Sequence, residues 1–388
     1  MKPIKVLLIT NMISPYRIQL FNYLYNSNLI FRVIALTEKE ENREWQITKT
    51  KIKFDYQILP GLHKFIWNKE IPIHLNWGLW GALQSYKPDV IITSGYDTLA
   101  YWGAFLYCKT YGKHFILWNG TTLLSTQNIH GLINLMKKII IKKADRYVSY
   151  GTKAAEYLEY MGASKARIHI GINTVDMDWY CKEYSIIRWG NSFKSERSKY
   201  PPFMLLYVGQ LIERKNVKRL LEALKKLQDQ DIGIFIVGSG AQEAELKDFC
   251  RRYGLQNVYF EGFKQQPDLP WYYAMADVLV LPSVKEVWGL VVNEALATGL
   301  YVLCSNRAGA AYDLIKEGWN GRTFDPYNVD QLAELIHMTK EQIEEIRARR
   351  DAISEHACRE FSIERSARAF LNAIQAMIIG CVCESTND

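Results

Sequence analysis

Two glutamates eight positions apart, Glu286 and Glu294, lie in the segment PSVKEVWGLVVNEALATG, with Gly289 between them. The residues after Gly289 have the pattern of a helix, so one carboxylate precedes the helix and the other lies in its early turns. A helix N-terminus offers unpaired N–H groups to an anion. Neither carboxylate should contact phosphate, because like charges repel at short range. The spacing therefore fits a nucleotide-linked sugar, with Glu286 beside the sugar, a diphosphate on the amides and Glu294 on the ribose hydroxyls.

Two other interpretations of this pair stay open. Paired carboxylates also perform glycoside hydrolysis, but these two would flank a helix start that favours phosphate, which disfavours that chemistry. An incidental pair of surface charges is the simpler alternative, and the spacing alone does not exclude it.

A second segment adds fixed positive charge. The stretch LLYVGQLIERKNVKRLLEAL predicts a strand, Gly209, a loop with Arg214 and Lys215, and then an amphipathic helix. Cations at a helix start oppose the helix dipole, so an anionic ligand explains the pair better than helix stability does. A pair of solvated side chains is the alternative. Gly238 and Gly240 end another predicted strand, and glycine lets a backbone approach a ligand closely.

Short apolar strands alternate with amphipathic helical patterns along the chain. Continuous apolar strands with helical crossovers indicate a parallel sheet covered on both faces. The alternation occurs twice, so we predict an α/β protein with two Rossmann-like, doubly wound domains that face a central cleft. The predicted strands are residues 4–10, 31–37, 89–94, 114–119, 146–151, 204–209, 233–238, 258–263, 277–283 and 301–305.

A polar stretch with two adjacent prolines separates the two halves. We therefore expect a first domain over residues 1–188, a linker over 189–202 and a second domain over 203–362.

The composition is that of an ordinary soluble globular protein, with 48% hydrophobic and 23% charged residues among 388. No apolar run reaches the roughly 18–20 residues that span a bilayer, and the seven scattered cysteines predict no disulfide framework.

Residues 1–190 hold 24 Lys and Arg against 14 Asp and Glu, whereas the remainder holds 24 against 27. The first half therefore favours an anionic partner. No nucleic-acid-binding motif appears, which leaves a membrane surface, a phosphate-bearing acceptor or an unremarkable basic surface.

Several segments, in order, resemble the family-4 retaining glycosyltransferases of GT-B architecture (glycosyl transferase group 1). PSVKEVWGLVVNEALATGLYVLCSN resembles their E-x7-E segment, VGQLIERKNVKRLLEAL their GRLxxxKN segment and FIVGSGAQEAEL their VGxGxxxxxL segment. AGAAYDLIKEGWNGRTFDP is similar to their downstream GGxxE segment. These matches cover residues 204–326, whereas SPYRIQLFNYL and residues 144–176 resemble the first domain of the family more weakly.

The resemblance implies transfer of a hexose-type sugar from a nucleotide-diphosphate sugar, a UDP or GDP sugar, to a saccharide or lipid-linked acceptor. The setting it implies is cell-surface polysaccharide, lipopolysaccharide or glycolipid biosynthesis. It further implies retention of the anomeric configuration without a metal ion or a cofactor. The first domain would bind the acceptor and the second the donor, and a last helix (about 363–379, within the segment 363–388 that ends in a polar tail) would pack back on the first domain.

The resemblance also assigns roles to single residues. Lys215 would bind the leaving diphosphate, Glu286 the donor sugar and Glu294 the ribose. The implied donor-binding residues are Gly209, Gln210, Arg214, Lys215, Gly238, Phe263, Lys264, Glu286, Gly289, Leu290, Val291 and Glu294. The implied catalytic residues are Glu286, Lys215 and Asn119, and those on the acceptor side are Tyr16, Arg17 and Asn119.

Two positions depart from the family pattern. Gln210 stands where the family often has arginine, and Arg214 is expected to supply that charge. Asn119 stands where many members have histidine, and an amide cannot take a proton at neutral pH. The leaving phosphate oxygen is then expected to accept the proton of the acceptor.

Three other functions are weighed against this one. A dinucleotide oxidoreductase is disfavoured, because VGSGAQEAEL has Glu243 in place of the third glycine of the fingerprint. A nucleotide-sugar epimerase or phosphorylase of the same fold stays open. A non-catalytic module that binds a sugar nucleotide also stays open.

The segment GLINLMKKIIIKKAD combines an apolar stripe with Lys137, Lys138, Lys142 and Lys143. A basic amphipathic helix of this kind can lie on an anionic membrane surface. A domain helix that buries one stripe and leaves its lysines solvated is the alternative. We expect a cytoplasmic protein with peripheral association at the inner membrane face, where a lipid-linked acceptor would lie.

Overall fold

The computed structural model describes residues 3–41, 43–46, 48–66, 71–126 and 131–384. The chain divides into two compact units. The first unit is Met1–Asn173 together with Ile363–Asp388, and the second is Thr174–Ser362.

The elements up to residue 173 belong to the first unit. They are β1 (Ile4–Thr10), α1 (Ile18–Tyr25), β2 (Leu29–Ala35), β3 (Asp55–Ile58), β4 (Gly61–Ile66), β5 (Ile71–Asn76), α2 (Leu79–Tyr86), β6 (Val90–Thr93), α3 (Leu99–Tyr111), β7 (His114–Asn119), α4 (Leu132–Lys143), β8 (Arg146–Ser149), α5 (Thr152–Tyr160) and β9 (Ile168–Ile170).

The remaining elements follow in chain order. They are α6 (Met177–Arg188), α7 (Phe193–Arg197), β10 (Phe203–Val208), α8 (Val217–Leu227), β11 (Ile232–Val237), α9 (Glu243–Tyr253), β12 (Val258–Gly262), α10 (Leu269–Met275), β13 (Val278–Leu281), α11 (Leu290–Ala297), β14 (Tyr301–Ser305), α12 (Ala310–Leu314), β15 (Gly321–Phe324), α13 (Val329–Glu341), α14 (Ile343–Ala348), α15 (Arg350–Glu360) and α16 (Ile363–Glu384).

The first unit is built on a parallel sheet with strand order β3-β2-β1-β6-β7-β8-β9, beside a separate β4–β5 hairpin. One face of the sheet packs against α2, α3, α4 and α5 in one apolar core. The other face packs against α1 and α16. Each sheet face is therefore covered by helices, as continuous apolar strands require.

The second unit has a six-stranded parallel sheet with strand order β12-β11-β10-β13-β14-β15. Its central strands are buried along almost their whole length. This order, in which the chain winds outward from β10 to one side and then to the other, is that of the Rossmann fold.

The predicted fold class, α/β with two Rossmann-like domains, is confirmed, and each of the ten predicted strands is present within two residues. The sequence reasoning missed β3, β4, β5, β9 and β15. These strands are three to six residues long, and β3 is exposed throughout. A short strand at a sheet edge lacks the continuous apolar run by which a buried strand is recognised.

The structure corrects the expected domain boundaries. Residues 174–188 belong to the second unit rather than the first, because α6 packs against α10 and α11, with Tyr180 edge-on to Tyr273 at 6.0 Å. The expected linker, residues 189–202, contains α7, and its Arg197 donates to Asp277 at 3.1 Å. The segment is therefore an integral part of the second unit.

The final helix α16 is part of the first unit, where Ala367, Phe370 and Ile374 are buried against the same core as α1. It extends to Glu384, five residues beyond the expected end. The tail residues 385–388 lie outside the described residues. No helix within the described part of the chain has the length and apolar character needed to cross a membrane.

Candidate active site

The second sheet defines where a ligand can bind. Strand order reverses between β10 and β13, so the loops that follow these two strands run in opposite directions and leave a crevice. In open parallel sheets, ligands bind in the crevice beyond the carboxyl ends of the strands at this switch point. The candidate residues that follow β10 and β13 therefore lie where a ligand is expected to bind.

Lys215 and Glu286 meet at this switch point, although they lie 71 residues apart in sequence. The Lys215 ammonium donates to Glu286 Oε2, and only 14% and 13% of the two side chains is exposed. Ser283 Oγ lies 3.5 Å from the same carboxylate oxygen. The structure thus brings together two of the three residues to which the family resemblance assigns catalytic roles.

Asn216 holds the two loops together, a role that the sequence reasoning missed. It adopts a left-handed conformation, with φ of 61°, directly after the turn that presents Lys215. Its Nδ2 donates to the carbonyls of Pro282 at 3.0 Å and Pro326 at 2.9 Å. Asparagine tolerates this backbone conformation better than most residues, and an asparagine directly before a helix was the signal in the sequence.

The loop that carries Glu286 is also fixed from the side of β14. Glu286 pairs with Ala308 in a parallel bridge, and the Ala310 N–H donates to the Trp288 carbonyl at 3.0 Å. A Cβ at Gly309 would lie 2.3 Å from the Val287 carbonyl oxygen, so only glycine permits this approach. The AGAA segment therefore positions the first glutamate.

Helix α11 begins beside this ion pair. Gly289 precedes it in a left-handed conformation, with φ of 101°, and no side chain caps the helix. The Val292 N–H donates to the Gly289 carbonyl at 2.9 Å. The N–H groups of the two residues before it, Leu290 and Val291, precede the first i to i−4 acceptor of the helix, and both residues are half-buried. The predicted anion site at Gly289, Leu290 and Val291 therefore lies next to Lys215 and Glu286.

Gly209 and Gly238 serve the fold rather than a ligand. The Gly209 N–H donates to Val237 and the Gly238 N–H to Gly262, so both amides extend the sheet. A Cβ at Gly238 would lie 1.8 Å from the Gly209 carbonyl oxygen. These glycines let the loops after β10 and β11 cross closely, and the donor-binding role expected of them stays a prediction.

Gln210 and Arg214 line the loop after β10. The buried Tyr207 hydroxyl donates to the Gln210 carbonyl at 2.8 Å, and the Arg214 carbonyl accepts from the Val284 N–H at 2.9 Å. Burial raises the pKa of Tyr207, with a further rise from Glu286 and an opposing effect of Arg214. Tyr207 is thus a neutral group, and Glu286 and Arg214 both act on it electrostatically.

Phe263 and Lys264 follow β12 and are half-buried. The Lys264 ammonium lies 3.9 Å from Glu261 Oε2 and 5.7 Å from the centre of the Tyr272 ring. The lysine side chain is thus directed back to the strand that precedes it, and the donor-binding role of these two residues stays a prediction.

Glu294 differs from its predicted environment. It is fully buried, and the Tyr273 hydroxyl donates to its Oε2 at 2.5 Å. Burial raises the pKa of Glu294 to about 7, against the lowering effect of the Tyr273 and Tyr180 hydroxyls. The side chain faces α10 and α6 instead of solvent, so the structure does not bring it to the surface that Lys215 and Glu286 share.

Three predicted residues lie in the first unit. Asn119 ends β7 and is 2% exposed, with its amide bonded to the backbone of Thr121 at 3.1 and 3.3 Å. The Arg17 guanidinium donates to Asn173 Oδ1 at 2.6 Å. Tyr16 packs edge-on against Trp45 with ring centres 5.5 Å apart. Asn119 thus closes a local turn, and its expected place on the acceptor side stays a prediction.

The Arg17 guanidinium stacks over two aromatic rings, 4.2 Å from the centre of Trp118 and 5.0 Å from that of Tyr150. Burial lowers the pKa of Arg17, opposed by Tyr150. An arginine nonetheless keeps its charge at neutral pH. Arg17 is therefore a fixed cation near the carboxyl ends of β7 and β8.

The switch point of the first sheet carries a network that the sequence reasoning missed. Ser94 Oγ lies 3.0 Å from Thr10 Oγ1 and 2.9 Å from the Tyr101 hydroxyl, which donates to Asn11 Oδ1 at 2.7 Å. Polar residues directly after β1 and β6 were the available signal. Within the described residues, no three His, Cys, Asp or Glu side chains are placed to hold a metal ion.

Comparison with known proteins gives a family match over the second half of the chain. Residues 190–357 match the family described as Glycosyl transferases group 1. An uncharacterized glycosyltransferase of Methanocaldococcus jannaschii is 37% identical over 132 residues, which are 34% of this chain and 34% of that protein. Sulfoquinovosyl transferase SQD2 of Arabidopsis thaliana is 34% identical over 143 residues, 34% of this chain and 26% of that protein.

Glycogen synthase of Mycobacterium tuberculosis is 29% identical over 208 residues, 53% of this chain and 47% of that protein. The matches thus span about a quarter to a half of the length of these three relatives. The described second unit contains the matched family segment, and its Lys215–Glu286 site lies within it.

Solved structures share the fold over almost the whole chain. HepE of Anabaena in complex with UDP has a TM-score of 0.75 at 16% identity and covers 96% of this chain and 100% of that chain. Sucrose-phosphate synthase from Thermosynechococcus elongatus has a TM-score of 0.74 at 17% identity, with 97% and 100% covered. At this identity the likeness shows the fold alone, with a Rossmann-like parallel sheet in each unit.

Proposed function

We propose that this chain, whose residues 190–357 carry a Glycosyl transferases group 1 domain, transfers a hexose-type sugar from a nucleotide-diphosphate sugar to a saccharide or lipid-linked acceptor. The main support for this proposal is the Lys215–Glu286 ion pair. It lies at the switch point of the second sheet, beside the start of α11, which no side chain caps. In this proposal the anomeric configuration is retained and no metal ion takes part, as in the family-4 enzymes that the sequence resembles.

The donor diphosphate would occupy the helix start. The N–H groups of Leu290 and Val291 would donate to phosphate oxygens, and the helix dipole favours the negative charge there. Lys215 is already held at this point by Glu286, so an arriving phosphate would compete with the carboxylate for the ammonium. The lysine would then stabilise the charge that grows on the leaving diphosphate.

Glu286 would act on the sugar. Once Lys215 turns toward phosphate, both carboxylate oxygens can accept hydrogen bonds from hydroxyls of the donor sugar. The bond from the anomeric carbon to the diphosphate oxygen breaks, and a bond from that carbon to the acceptor oxygen forms on the same face. The acceptor proton passes to the leaving phosphate oxygen, because Asn119 cannot accept it.

Glu294 has a different part in this proposal from the one the sequence suggested. Its bond to Tyr273 ties α11 to α10, so it positions the helix whose first turn receives the diphosphate. The glutamate then acts on the donor through the helix.

The proteins that share the fold support a nucleotide-sugar donor. HepE has been solved in complex with UDP, with UDP and glucose, and with UDP-glucose. Relatives named as a glycogen synthase and as a putative colanic acid biosynthesis glycosyltransferase of Escherichia coli support a role in polysaccharide biosynthesis. On that basis we propose a UDP sugar as the donor, and a GDP sugar is the alternative that the family resemblance implies.

The test begins with the nucleotide. We expect one of UDP-, GDP-, ADP- and dTDP-sugars to raise the melting temperature of the protein by several degrees, and Lys215→Ala to abolish most of this shift. The matched control is Lys247→Ala, which breaks an exposed pair with Glu243 at 2.7 Å on α9. A shift that is equal in Lys215→Ala and the parent protein would contradict the proposal.

Product analysis separates the reactions that this fold supports. NMR of the product from a donor labelled at the anomeric carbon should show a new glycosidic bond with the donor configuration. Formation of an epimer of the free nucleotide sugar would instead identify an epimerase, and a sugar phosphate would identify a phosphorylase. Binding without turnover in the presence of saccharide and lipid-linked acceptors would indicate a binding module.

A further inference from the structure

Two cysteines lie close together in the second unit, on helices that pack against each other. Cys181 belongs to α6 and Cys358 to α15. Cys181 Sγ lies 3.5 Å from Ser354 Oγ. Ser354 precedes Cys358 by four residues, which places both side chains on the same face of α15. The Cys181 thiol also interacts directly with the Cys358 thiol. One turn of α15 therefore presents a hydroxyl and a second thiol to Cys181.

The solvent accessibility of these two cysteines differs from that of the others. Of the five cysteines whose side chains the structure describes, Cys108, Cys250 and Cys304 are buried, whereas Cys181 and Cys358 are partly exposed. A redox-sensitive cysteine is accessible to its oxidant and lies next to a second cysteine that resolves the first oxidation product. The pair meets both conditions.

The pair lies at the end of the helix whose start is the proposed diphosphate site. The Ser354 hydroxyl donates to the Ala297 carbonyl at 2.6 Å, and Ala297 is the last residue of α11. Helices α6 and α15 both pack on α11. The hydroxyl of Tyr180, the neighbour of Cys181, acts on Glu294 within α11. A change at the cysteine pair therefore reaches α11 through both helices.

We propose that Cys181 and Cys358 form a reversible disulfide under oxidising conditions, and that this bond weakens donor binding at the start of α11. The second part rests on the proposed function, whereas the first does not. To bond, the two sulfur atoms must come closer than non-bonded contact allows, so α6 and α15 shift beside Ser354 and carry α11 with them. The amides of Leu290 and Val291 hold phosphate only in the correct geometry, so a small shift of this helix lowers the affinity.

The step needs an oxidant that accepts two electrons, and a low-molecular-weight disulfide such as glutathione disulfide serves. The Cys181 thiolate attacks one sulfur of glutathione disulfide, and one glutathione leaves. The Cys358 thiolate then attacks Cys181 Sγ in this mixed disulfide, and the second glutathione leaves. The two protein thiols lose two electrons and two protons, and glutathione disulfide becomes two glutathione thiols.

The order of attack follows from the environment of Cys358. Burial raises the pKa of Cys358 to about 12, with further rises from Cys181 and Asp178 and an opposing effect of Ser354. The thiolate is the attacking species, so Cys358 is a poor first nucleophile. Cys181 therefore attacks first. Cys358 resolves the mixed disulfide, because proximity to Cys181 offsets its small thiolate fraction.

Peptide mapping of the full chain by mass spectrometry tests the disulfide. Incubation with glutathione disulfide at about pH 8 should link the peptides of Cys181 and Cys358, and dithiothreitol should release them. Cys358→Ser should stop at one glutathione on Cys181, and Cys181→Ser should leave Cys358 unmodified. Absence of the linkage in the parent protein would overturn the proposal. Glutathione on Cys358 in Cys181→Ser would overturn the order of attack.

Binding of UDP tests the effect on α11. We expect the oxidised parent protein to bind UDP about tenfold more weakly than the reduced protein, and dithiothreitol to restore the affinity. Treatment of Cys181→Ser with glutathione disulfide should leave its UDP affinity unchanged. The matched control is Cys250→Ser, which removes a buried thiol on α9 and should keep the full redox response.

Equal UDP affinities of the oxidised and reduced parent protein would overturn the link between the disulfide and donor binding. A parent protein that binds no UDP in either state would contradict the proposed UDP donor, whereas the peptide map tests the disulfide independently of any nucleotide. A cooperative thermal transition of each reduced variant shows that it folds.

Discussion

The two sheets are alike at one end and different at the other. In both, the strand order reverses beside the first strand, between β1 and β6 and between β10 and β13. In both sheets, an aspartate lies directly before the second of these two strands, β6 or β13. Its carboxylate accepts a hydrogen bond from a backbone N–H near the start of the first of them, β1 or β10. Asp89 accepts from Lys5 at 3.0 Å, and Asp277 accepts from Met204 at 2.9 Å. The amino ends of the two sheets are therefore held by the same device.

The carboxyl ends carry different groups. The first sheet ends in the hydroxyl and amide network of Thr10, Asn11 and Ser94. The second ends in the Lys215–Glu286 ion pair next to the start of α11. The topology decides where a site forms in each sheet, whereas the loops decide which chemistry the site supports.

The largest effect is expected at the shared aspartate. Asp277 is 4% exposed and receives Arg347 at 3.0 Å and Arg197 at 3.1 Å, and it lies 3.9 Å from the buried Arg350. Asp277→Ala therefore removes the carboxylate that three guanidinium groups share. We expect a loss of about 3–5 kcal/mol in the free energy of unfolding. The Asp89 side chain is 44% exposed, and Asp89→Ala should cost about 1 kcal/mol. Urea unfolding measures the free energy of unfolding of both variants. Equal losses in Asp277→Ala and Asp89→Ala would contradict the expected difference between the two sheets.

The second effect sharpens the contrast between the carboxyl ends. Glu286→Gln keeps the shape of the side chain but removes its charge, and we expect the rate of transfer to fall about 10²–10³-fold. Binding of UDP alone should be retained, because Lys215 is then free for phosphate. The matched control, Glu213→Gln, changes an exposed glutamate in the turn that presents Lys215 and should alter the rate less than twofold. Steady-state kinetics with the donor found by thermal shift provides the measurement.

The third effect concerns Glu294 and pH. Its pKa is about 7 in the folded protein against an ordinary 4.5, so the folded state holds this proton more tightly than the unfolded chain does. The stability that the protonated carboxyl contributes is present below pH 4.5 and is lost as the pH rises to 7. Glu294→Gln should therefore equal the parent protein at low pH and exceed it at pH 8 by about 3 kcal/mol.

Urea unfolding across this pH range tests the point, and Glu355→Gln, on the exposed surface of α15, is the matched control. A stability difference between Glu294→Gln and the parent protein that stays constant with pH would show that this carboxyl is not the titrating group.

The smallest effect separates backbone strain from ligand binding. Gly289→Ala and Gly254→Ala both place a side chain at positive φ, 101° and 67°, which costs about 1–2 kcal/mol. At Gly289 the new Cβ would also lie 2.8 Å from Leu281 Cδ2, whereas at Gly254 it would meet no atom within 4 Å. Gly289 also directly precedes α11, where the diphosphate is expected to bind. We expect both variants to lose stability but only Gly289→Ala to bind UDP about tenfold more weakly. Isothermal titration calorimetry with UDP measures the affinity of each variant. Equal UDP affinities of Gly289→Ala and Gly254→Ala would show that the nucleotide does not bind at the start of α11.

Much of the second unit could be read from the chain because its information is local. Runs of apolar residues that end in glycine predicted β10 and β11, and a run that ends at Pro282 predicted β13. The helix after Gly289 was expected where α11 lies. The loop positions of Lys215 and Glu286 followed, since the carboxyl ends of parallel strands meet at one edge of the sheet. The burial of Glu294 and Asn119 could not be predicted in this way, because burial depends on neighbours that are remote in sequence.

The sequence by itself determined the alternation of strands and helices, the glycine-marked loops and the identity of the charged residues at their ends. These depend on periodicity and on backbone preferences, which each short segment carries alone. Only the tertiary structure decided that Glu294 is enclosed by Tyr273 and Tyr180, that Asn216 ties two loops together, and that residues 174–188 join the second unit. The reason is that packing, unlike periodicity, is a property of segments that meet in space from distant parts of the chain.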